Sequence, residues 1–425
     1  MVLDGAPSLA DWPGTLTTPD DNKHGTHMKI FLVHNRYQQS GGEDTVFEFE
    51  GSLLERAGHE VRRLVVSNDD IKTAYEKIRT AWYLPWNSSG FRLVANAIAR
   101  NRPDIMHVHN IFPLLSPSIY DAAAAANVAV VQTLHNFRIT CANGMLLRDG
   151  APCELCITGT PYNAVRFRCY RNSYFGSFAV ARMIAVQRRQ KESRTKVARF
   201  VALSEFARSR FVLSGLPAEK ITVKPNGAID STIRSDGTGT AILFVGRLSR
   251  EKGVDTLINA ARLTTHPVRI VGDGPLRGKL EADAPPNVTF LGRLSHDRVI
   301  YEMSRARCLV LPSASYEGFP LVLVEAYSVG LPVVASRLGS LIELVEDGVT
   351  GLHFAPNDGI GLARAVERLT SDAAFTVRLG HASRRRYEDR FTPERVLSDL
   401  ETIYRSVMAE FIYSRSYERD EIQSL

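Results

Sequence analysis

Short runs of β-branched and other apolar residues alternate along the chain with longer stretches in which apolar positions recur at helical spacing. In the first half this pattern predicts strands at Lys29–His34, Glu60–Val66, Asp104–His109, Val128–Leu134 and Phe200–Leu203. A helix is predicted between the first two strands, at Glu43–Arg56, because its apolar residues share one face. Strands that alternate with helices are typical of α/β domains with parallel sheets.

The alternation restarts after a polar stretch at Asp230–Thr240, which contains glycine and serine. The strands predicted beyond it are Ala241–Gly246, Val268–Val271, Val288–Leu291, Cys308–Leu311, Pro332–Ala335 and Gly351–Phe354. The predicted helices are Val254–Leu263, Pro320–Val329, Gly359–Leu369, Asp372–Glu388 and Pro393–Met408. We therefore predict two doubly wound, Rossmann-like α/β domains that face an interdomain cleft, since ligands bind outside the carboxyl ends of strands in such sheets.

This interpretation divides the chain into four segments. Residues 1–27 contain no apolar run and are predicted to be a disordered extension or a tag. Residues 28–228 are predicted to form the N-terminal domain, with a cysteine-rich insert at 138–172. Residues 229–388 would form the C-terminal domain, and residues 389–425 a helix that packs back on the N-terminal domain, plus a tail.

Composition and charge narrow the class of protein. Among the 425 residues, Lys and Arg number 52 and Asp and Glu 46, a formal charge of +6 that suits anionic substrates or an anionic lipid surface. The excess is too small to indicate nucleic acid binding, and no nucleic-acid-binding motif is recognisable. The sequence has no apolar window of about 18–20 residues and no secretory h-region, so we expect a cytoplasmic protein without a transmembrane helix.

Two glycine- or charge-rich segments link predicted strands to predicted helices. Gly41 and Gly42 let the backbone approach a ligand, and the helix N-terminus behind them favours an anion. Arg247 and Lys252 combine a guanidinium fork with an ammonium group, a pair that suits a diphosphate. An ordinary glycine loop and a solvated charged turn are the plain alternatives.

A third segment runs from Glu317 to Glu325. Gly318 and Pro320 indicate a tight turn there, since proline suits the first turn of a helix. Two carboxylates at one sheet edge can accept hydrogen bonds from sugar hydroxyls. The alternative interpretation makes Glu317 a helix cap and Glu325 a surface residue.

Glu317 and Glu325 match the E-x7-E signature, and here the chain resembles the retaining, nucleotide-sugar-dependent glycosyltransferases of family 4, which have the GT-B fold. The resemblance extends over further motifs in the family's order, so it covers about residues 28–410. Those motifs are residues 246–253, 271–275 and 225–227, Asp104–His109 and the Gly41–Gly42 loop.

The resemblance implies a donor-binding set. Its members are Gly41, Gly42, Arg247, Lys252, Gly318, Phe319, Pro320, Leu321 and Glu325. Within this set, Arg247 and Lys252 would hold the diphosphate, and Glu325 would hold the ribose hydroxyls. Gly42 would approach the diphosphate from the other domain.

The resemblance also implies which residues surround the donor sugar. Glu317, together with the amides of Gly318 and Phe319, would orient that sugar. His135 matches a histidine that lies beside the donor sugar and the acceptor in relatives, although a lone histidine can also be structural. The implied catalytic residues are His135, Glu317, Arg247 and Lys252, with no catalytic metal.

Four of the five cysteines cluster in the insert. They are Cys141, Cys153, Cys156 and Cys169. The pattern C-x11-C-x2-C-x12-C contains one C-x2-C half of a tetrahedral zinc site, which four thiolates would complete. Packed free thiols and a redox C-x-x-C pair explain the pattern as well as structural zinc does, and disulfides are not expected in the cytosol.

The segment Arg182–Arg199 contains seven basic residues and one acidic residue, Glu192. A basic helix in the N-terminal domain predicts peripheral contact with anionic lipid at the inner face of the plasma membrane. A solvated helix face is the alternative.

Taken with the resemblance, the sequence predicts a retaining hexosyltransferase of polysaccharide or glycolipid biosynthesis. It would move a sugar from a nucleoside-diphosphate donor on the C-terminal domain to a hydroxyl of a glycan or lipid-linked acceptor on the N-terminal domain. Two alternatives share the fold. A sugar-nucleotide 2-epimerase should lack the E-x7-E and R-x4-K patterns, and a non-catalytic interaction protein should have lost at least one of those four residues.

Overall fold

A computed structural model describes residues 27–38, 41–189 and 195–423, without the side chains of 414–423. The predicted N-terminal extension lies outside the described residues except for His27. Three charged residues of the basic run, Lys191, Glu192 and Arg194, also lie outside them.

The N-terminal domain is built on a sheet of six parallel strands in the spatial order β2-β1-β3-β4-β7-β8. These strands are β1 (Lys29–Arg36), β2 (Glu60–Ser67), β3 (Ile105–Val108), β4 (Ala129–Leu134), β7 (Arg199–Ala202) and β8 (Ile221–Val223). The insert contributes a hairpin of β5 (Leu147–Arg148) and β6 (Ala151–Pro152). The helices are α1 (Gly42–Arg56), α2 (Ala74–Tyr83), α3 (Ser88–Asn101), α4 (Ser118–Ala125), α5 (Leu155–Thr158), α6 (Asn163–Arg166), α7 (Tyr174–Arg189) and α8 (Glu205–Leu213).

The C-terminal domain repeats this plan with six parallel strands in the order β11-β10-β9-β12-β13-β14. They are β9 (Ala241–Val245), β10 (Val268–Val271), β11 (Val288–Gly292), β12 (Ala306–Leu311), β13 (Val333–Ser336) and β14 (Gly351–Phe354). Its helices are α9 (Val254–Ala261), α10 (Arg277–Asp283), α11 (His296–Ser304), α12 (Leu321–Val329), α13 (Leu341–Leu344), α14 (Gly359–Ser371) and α15 (Ala373–Arg390). Because β9 and β12 are neighbours, the loops that follow them meet at one edge of the sheet.

The last helix, α16 (Pro393–Gln423), returns to the N-terminal domain. Its Leu400 and Tyr404 are fully buried in one cluster with Ile30 and Phe47. Burying apolar side chains of this size stabilises the contact by about 1.5–3 kcal/mol each. The chain therefore crosses the domain boundary twice. No helix in the described part of the chain is long and apolar enough to span a membrane.

The predicted fold class is confirmed, because both sheets are parallel, six-stranded and flanked by helices. Two differences from the predicted elements matter for the site. The final helix continues to Gln423 instead of ending near Met408. The basic run is not one helix, because Arg199 opens β7.

Candidate active site

The turn after β9 brings Lys252 to the loop after β12. Gly253 has the left-handed backbone conformation (φ 64°), and a Cβ there would collide with the carbonyl of Pro312. This close approach lets Lys252 Nζ donate to Glu317 Oε1 at 2.8 Å and to Oε2 at 3.0 Å. The Ser313 hydroxyl also donates to Glu317 Oε1, at 2.6 Å. Glu317 is therefore held in the loop by a cation and a hydroxyl, and it is not a helix cap.

Glu325 lies in the second turn of α12 and is buried, with 5% of its surface exposed. The surface-residue interpretation is therefore wrong. Burial raises the pKa of Glu325, while His296, whose Nδ1 is 3.7 Å from Oε1, opposes that rise. Neither Glu325 Oε2 nor His296 Nδ1 has a hydrogen-bond partner among the described residues. Two buried polar atoms side by side can thus receive ligand hydroxyls.

The two domains touch through the residues singled out from the sequence. A Cβ on Gly318 would lie 2.6 Å from the carbonyl oxygen of His135, so only glycine fits there. On the other side, a Cβ on Gly42 would lie 3.5 Å from the Leu321 side chain. The structure therefore brings the glycine loop, the end of β4 and the start of α12 to one interdomain cleft.

His135 is backed by a second histidine. His109 Nδ1 is 3.0 Å from His135 Nε2, so one ring donates and the other accepts. Burial lowers the pKa of both rings well below the usual value, and neighbouring histidines and Lys224 lower it further. Both imidazoles are therefore neutral at pH 7.

Beneath these rings lies a buried polar network. Lys224 Nζ donates to Glu50 Oε1 at 2.7 Å, and Glu50 Oε2 is 3.6 Å from His109 Nε2. His107 bonds Tyr404 of α16 at 2.7 Å and Thr133 at 2.8 Å. The final helix thus supplies a polar group directly behind the cleft.

One set of potential metal ligands among the described residues has its ligand atoms within 4.8 Å of one another: Glu50, His107 and His109. Two features argue against a metal there. The Lys224 ammonium already neutralises Glu50, and both nitrogens of His107 have partners. A divalent cation would have to displace the ammonium.

Sequence reasoning missed a polar cluster at the start of α1. Glu43 Oε1 is 3.3 Å from Asn110 Nδ2, and Oε2 is 3.3 Å from Asn136 Nδ2. Burial raises the pKa of Glu43 to about 8; Asp44 adds to the rise, and Arg138 opposes it. The sequence did contain a signal for this cluster, because two of its members directly follow residues already selected: Glu43 follows Gly41–Gly42, and Asn136 follows His135.

A cavity of about 1220 Å³ opens beside this cluster. Arg247 lines it from the C-terminal domain, opposite Asn136 and Arg138 of the N-terminal domain. No acidic partner of Arg247 occurs within the described ranges. Its guanidinium is therefore available to an anion in the cleft.

The four clustered cysteines form no disulfide, and they do not appear in the one set of closely spaced ligand atoms found among the described residues. They are nonetheless neighbours. Burial raises the pKa of Cys156 to about 12 and that of Cys169 to about 11, and in each case nearby thiols add to the rise. The predicted zinc site stays a prediction.

Three described members of the basic run have partners inside the protein. Arg188 donates to the carbonyls of Cys156 and, at 2.8 Å, Gly159, which fastens α7 to the insert. Lys196 pairs with Asp121 at 2.8 Å, and Arg199 donates to Glu410 at 2.5 Å. These three side chains are therefore not free for lipid.

Comparison with known proteins agrees with this architecture. The family description "Glycosyltransferase Family 4" matches residues 40–231, and "Glycosyl transferases group 1" matches residues 228–386. Among solved structures, sucrose-phosphate synthase from Thermosynechococcus elongatus has a TM-score of 0.67 at 18% identity and covers 90% of this chain and 100% of its own. Anabaena HepE in complex with UDP-glucose has a TM-score of 0.62 at 20% identity, covering 91% of this chain and 100% of its own.

Curated relatives are similar over part of their length. A glycogen synthase of Mycobacterium tuberculosis is 38% identical over 208 residues, which is 45% of this chain and 50% of that protein. The O-antigen chain mannosyltransferase C of Escherichia coli is 30% identical over 172 residues, 39% of this chain and 46% of that protein. The matches thus span about half the length of the curated relatives. Together the two family matches account for residues 40–386, and the chain belongs to the glycosyltransferases of family 4 type.

Proposed function

We propose that this glycosyltransferase transfers a hexose from a nucleoside diphosphate to an acceptor hydroxyl with retention of anomeric configuration. One observation carries the proposal. Glu317 is bound to Lys252 in the C-terminal domain, and the next residue, Gly318, contacts the backbone of His135 at the end of β4. Only glycine permits that contact. The UDP-glucose held by Anabaena HepE supports the donor class.

On this proposal, Arg247 and Lys252 hold the diphosphate. Arg247 faces the cavity without an acidic partner in the part of the chain described, whereas Lys252 is already paired with Glu317. Donor binding would then place the Lys252 ammonium between a carboxylate and the phosphates. Glu325 Oε2 would accept from the ribose, because burial without a partner makes that bond favourable. Gly41 and Gly42 would let the facing loop approach the phosphates.

The transfer step needs no protein nucleophile. The acceptor oxygen bonds to the anomeric carbon as the bond to the diphosphate oxygen breaks on the same face, and the acceptor proton passes to that leaving oxygen. Arg247 and Lys252 stabilise the charge that develops on the diphosphate. Glu317, with the amides of Gly318 and Phe319, orients the sugar, and neutral His135 lines the acceptor side.

Two experiments test the proposal. Thermal-shift screening with UDP-, GDP- and ADP-sugars should raise the melting temperature with one nucleotide class, because a ligand that binds only the native state stabilises it. NMR of the product should then show the donor's anomeric configuration. An inverted product would overturn retention. Epimerised nucleotide sugar formed without an acceptor would favour the 2-epimerase, and no response to any nucleotide would favour a non-catalytic protein.

We also propose that the insert holds one zinc ion through Cys141, Cys153, Cys156 and Cys169. The ligand chemistry and the mutual effect of the thiols on their pKa support this. Elemental analysis of protein purified without chelator should find about one zinc per chain. Cys153→Ser with Cys156→Ser should abolish it, and Cys308→Ser, in β12, should not. Absence of zinc would contradict the proposal.

We propose, finally, that the enzyme works in the cytoplasm, at the inner face of the plasma membrane, on a glycan or lipid-linked acceptor. Within the predicted basic contact, Arg188, Lys196 and Arg199 have partners inside the protein. A lipid contact therefore needs a different surface from the one the charge pattern predicted.

A further inference from the structure

Helix α2 buries none of its residues, although four of its ten side chains are large and apolar or aromatic. Trp82 is 66% exposed and Ile78 is 58% exposed. Surface helices ordinarily turn such residues toward the core. Most of the apolar side of α2 is therefore open to solvent in the described part of the chain.

The first turns of α7 continue this surface. Arg182 of α7 lies 5.1 Å above the Trp82 ring and donates to the Trp82 carbonyl at 2.8 Å, which joins the two helices. We call the exposed apolar and aromatic side chains of the two helices the aromatic face. Its members are Tyr75, Ile78, Trp82, Tyr83, Tyr174, Phe175 and Phe178.

The surroundings of the aromatic face are cationic. Residues 155–189 contain six arginines and no acidic residue. Arg168 lies 5.4 Å above the ring of Tyr174, and Arg171 lies 5.6 Å above that of Tyr170. Around α2 the charges balance, with Lys72, Lys77 and Arg79 against Asp69, Asp70 and Glu76. Even with Arg188 engaged by the insert, the face as a whole is positive.

The aromatic face borders the interdomain cavity. Lys77 of α2 and Phe175 of α7 line the same cavity as Arg138 and Arg247. Its wall is mixed, because apolar side chains such as Leu84 lie between the cationic ones. An amphiphilic anion would contact both the cationic and the apolar parts of this wall.

We propose that the aromatic face docks on an anionic lipid bilayer, so that the cavity receives an acceptor carrying a phosphate and a lipid chain. The acceptor class rests on the proposed transferase function, whereas the docking does not. Trp and Tyr side chains favour the membrane interface, and each Lys or Arg near an anionic leaflet strengthens binding about fivefold. This surface replaces the basic run as the lipid contact.

Flotation of the full chain with vesicles tests the docking. Phosphatidylglycerol-containing vesicles should bind it at low salt, and pure phosphatidylcholine vesicles should bind it at least tenfold more weakly. Ile78→Ser and Lys77→Glu should each lower binding about five- to tenfold. The matched controls are Ile360→Ser, at a site that is 57% exposed on α14, and Lys279→Glu on α10, and both should bind like the wild type.

Nucleotide binding separates the two proposals. Ile78→Ser and both control variants should keep the wild-type thermal shift with nucleotide, since none of these three residues lines the cavity that Arg247 faces. A wild type that binds vesicles but no nucleotide would contradict the transferase and leave the docking intact. No binding to anionic vesicles, or variants that bind like their controls, would overturn the docking. A dimer lost in Ile78→Ser without vesicle binding would assign the face to a second copy instead.

Soluble probes test the acceptor class. Farnesyl diphosphate should bind at least tenfold more tightly than farnesol or inorganic diphosphate alone, because only it offers both an anion and a chain. Arg138→Gln should remove most of that preference. If glucuronate bound as tightly as farnesyl diphosphate, the result would point to an acidic glycan and overturn the lipid-linked class of acceptor.

Discussion

The two halves of the cleft are built differently. On the C-terminal side, the candidate residues come from two short segments, 247–253 and 317–325, which follow the neighbouring strands β9 and β12. On the N-terminal side, Glu43, Asn110 and His135 follow three different strands. Tyr404, which lies behind them, comes from the last helix. A site made from neighbouring loops leaves a compact motif in the sequence, and a site assembled from distant elements does not.

The two halves also differ in how exposed their ion pairs are to water. The donor-side pair, Lys252 and Glu317, is partly open to water and can exchange partners with a ligand. The Glu50–Lys224 pair on the other side is almost fully buried, so it has no such alternative. We therefore expect substitutions to damage ligand binding on one side and folding on the other.

The largest expected effect is on stability, from Glu50→Gln. It leaves the buried Lys224 ammonium without its counter-charge, which should cost about 3–5 kcal/mol of unfolding free energy. Chemical denaturation followed by the fluorescence of Trp82 and Trp86, both in the N-terminal domain, measures it. Adding Lys224→Met should recover much of the loss.

Glu302→Gln is the matched control in the C-terminal half. Glu302 is as buried as Glu50, but its partner Arg269 is half-exposed and its partner Arg298 is exposed. Both guanidinium groups can therefore be hydrated when the carboxylate is lost. The cost should therefore be clearly smaller, as followed by circular dichroism. Equal costs for the two substitutions would erase the proposed difference between the halves.

Donor affinity should respond next. Arg247→Ala and Lys252→Ala should each weaken nucleoside-diphosphate binding by about 1.5–3 kcal/mol, the range for hydrogen bonds to charged groups. Lys252→Ala should lie at the upper end, because it also leaves the Glu317 carboxylate unpaired near the phosphates. Calorimetry measures both, with Lys279→Ala as an exposed control. Unchanged affinity in both variants would move the diphosphate site elsewhere.

A kinetic split should distinguish the two carboxylates. Glu317→Gln should lower kcat about 10–100-fold with little loss of donor affinity, because it orients the sugar in the transition state. Glu325→Ala should mainly raise the donor KM. Glu281→Gln, an exposed glutamate paired with Arg277, serves as a control that should change neither. The reverse split would exchange the two roles.

The sequence predicted the C-terminal half closely. Val268–Val271 and Gly351–Phe354 have the predicted bounds, since apolar runs between turn residues leave little freedom. The GT-B fold is confirmed, and four residues singled out by the family resemblance, Gly42, His135, Gly318 and Leu321, meet between the two domains. What those residues do on binding a ligand stays a prediction.

The N-terminal network could not be predicted in this way. The Glu50–Lys224 contact joins residues 174 positions apart, and His107 to Tyr404 spans 297. No local pattern encodes such a pairing, because it depends on how α16 packs against the first sheet. Glu43 could be predicted in part. It lies next to the glycine pair recognised in the sequence, but only the fold shows that Asn110 and Asn136 converge on it.

The smallest expected effect is a pH dependence that tests this missed cluster. The pKa of Glu43 is about 8 in the folded chain, against an ordinary value near 4.5. The native state therefore binds more protons than the unfolded state between those values, and stability is lost as pH rises through that window. Glu43→Gln cannot titrate. Between pH 5 and pH 8 its free energy of unfolding should therefore rise by about 1–2 kcal/mol relative to that of the wild type. This figure lies below the full 1.36 kcal/mol per pKa unit because the side chain is half-buried.

Glu76→Gln provides the matched comparison, because backbone hydrogen bonds from Thr73 and Lys72 lower the pKa of that exposed carboxylate. Its contribution is fully present above the unfolded value and is lost only in more acidic solution, so its stability difference should stay flat from pH 5 to 8. Denaturation midpoints at four pH values measure both differences. A flat Glu43 difference would mean that the carboxylate is ionised at neutral pH in the cleft, paired with Arg138, and that the acceptor side resembles the donor side in holding an exchangeable ion pair.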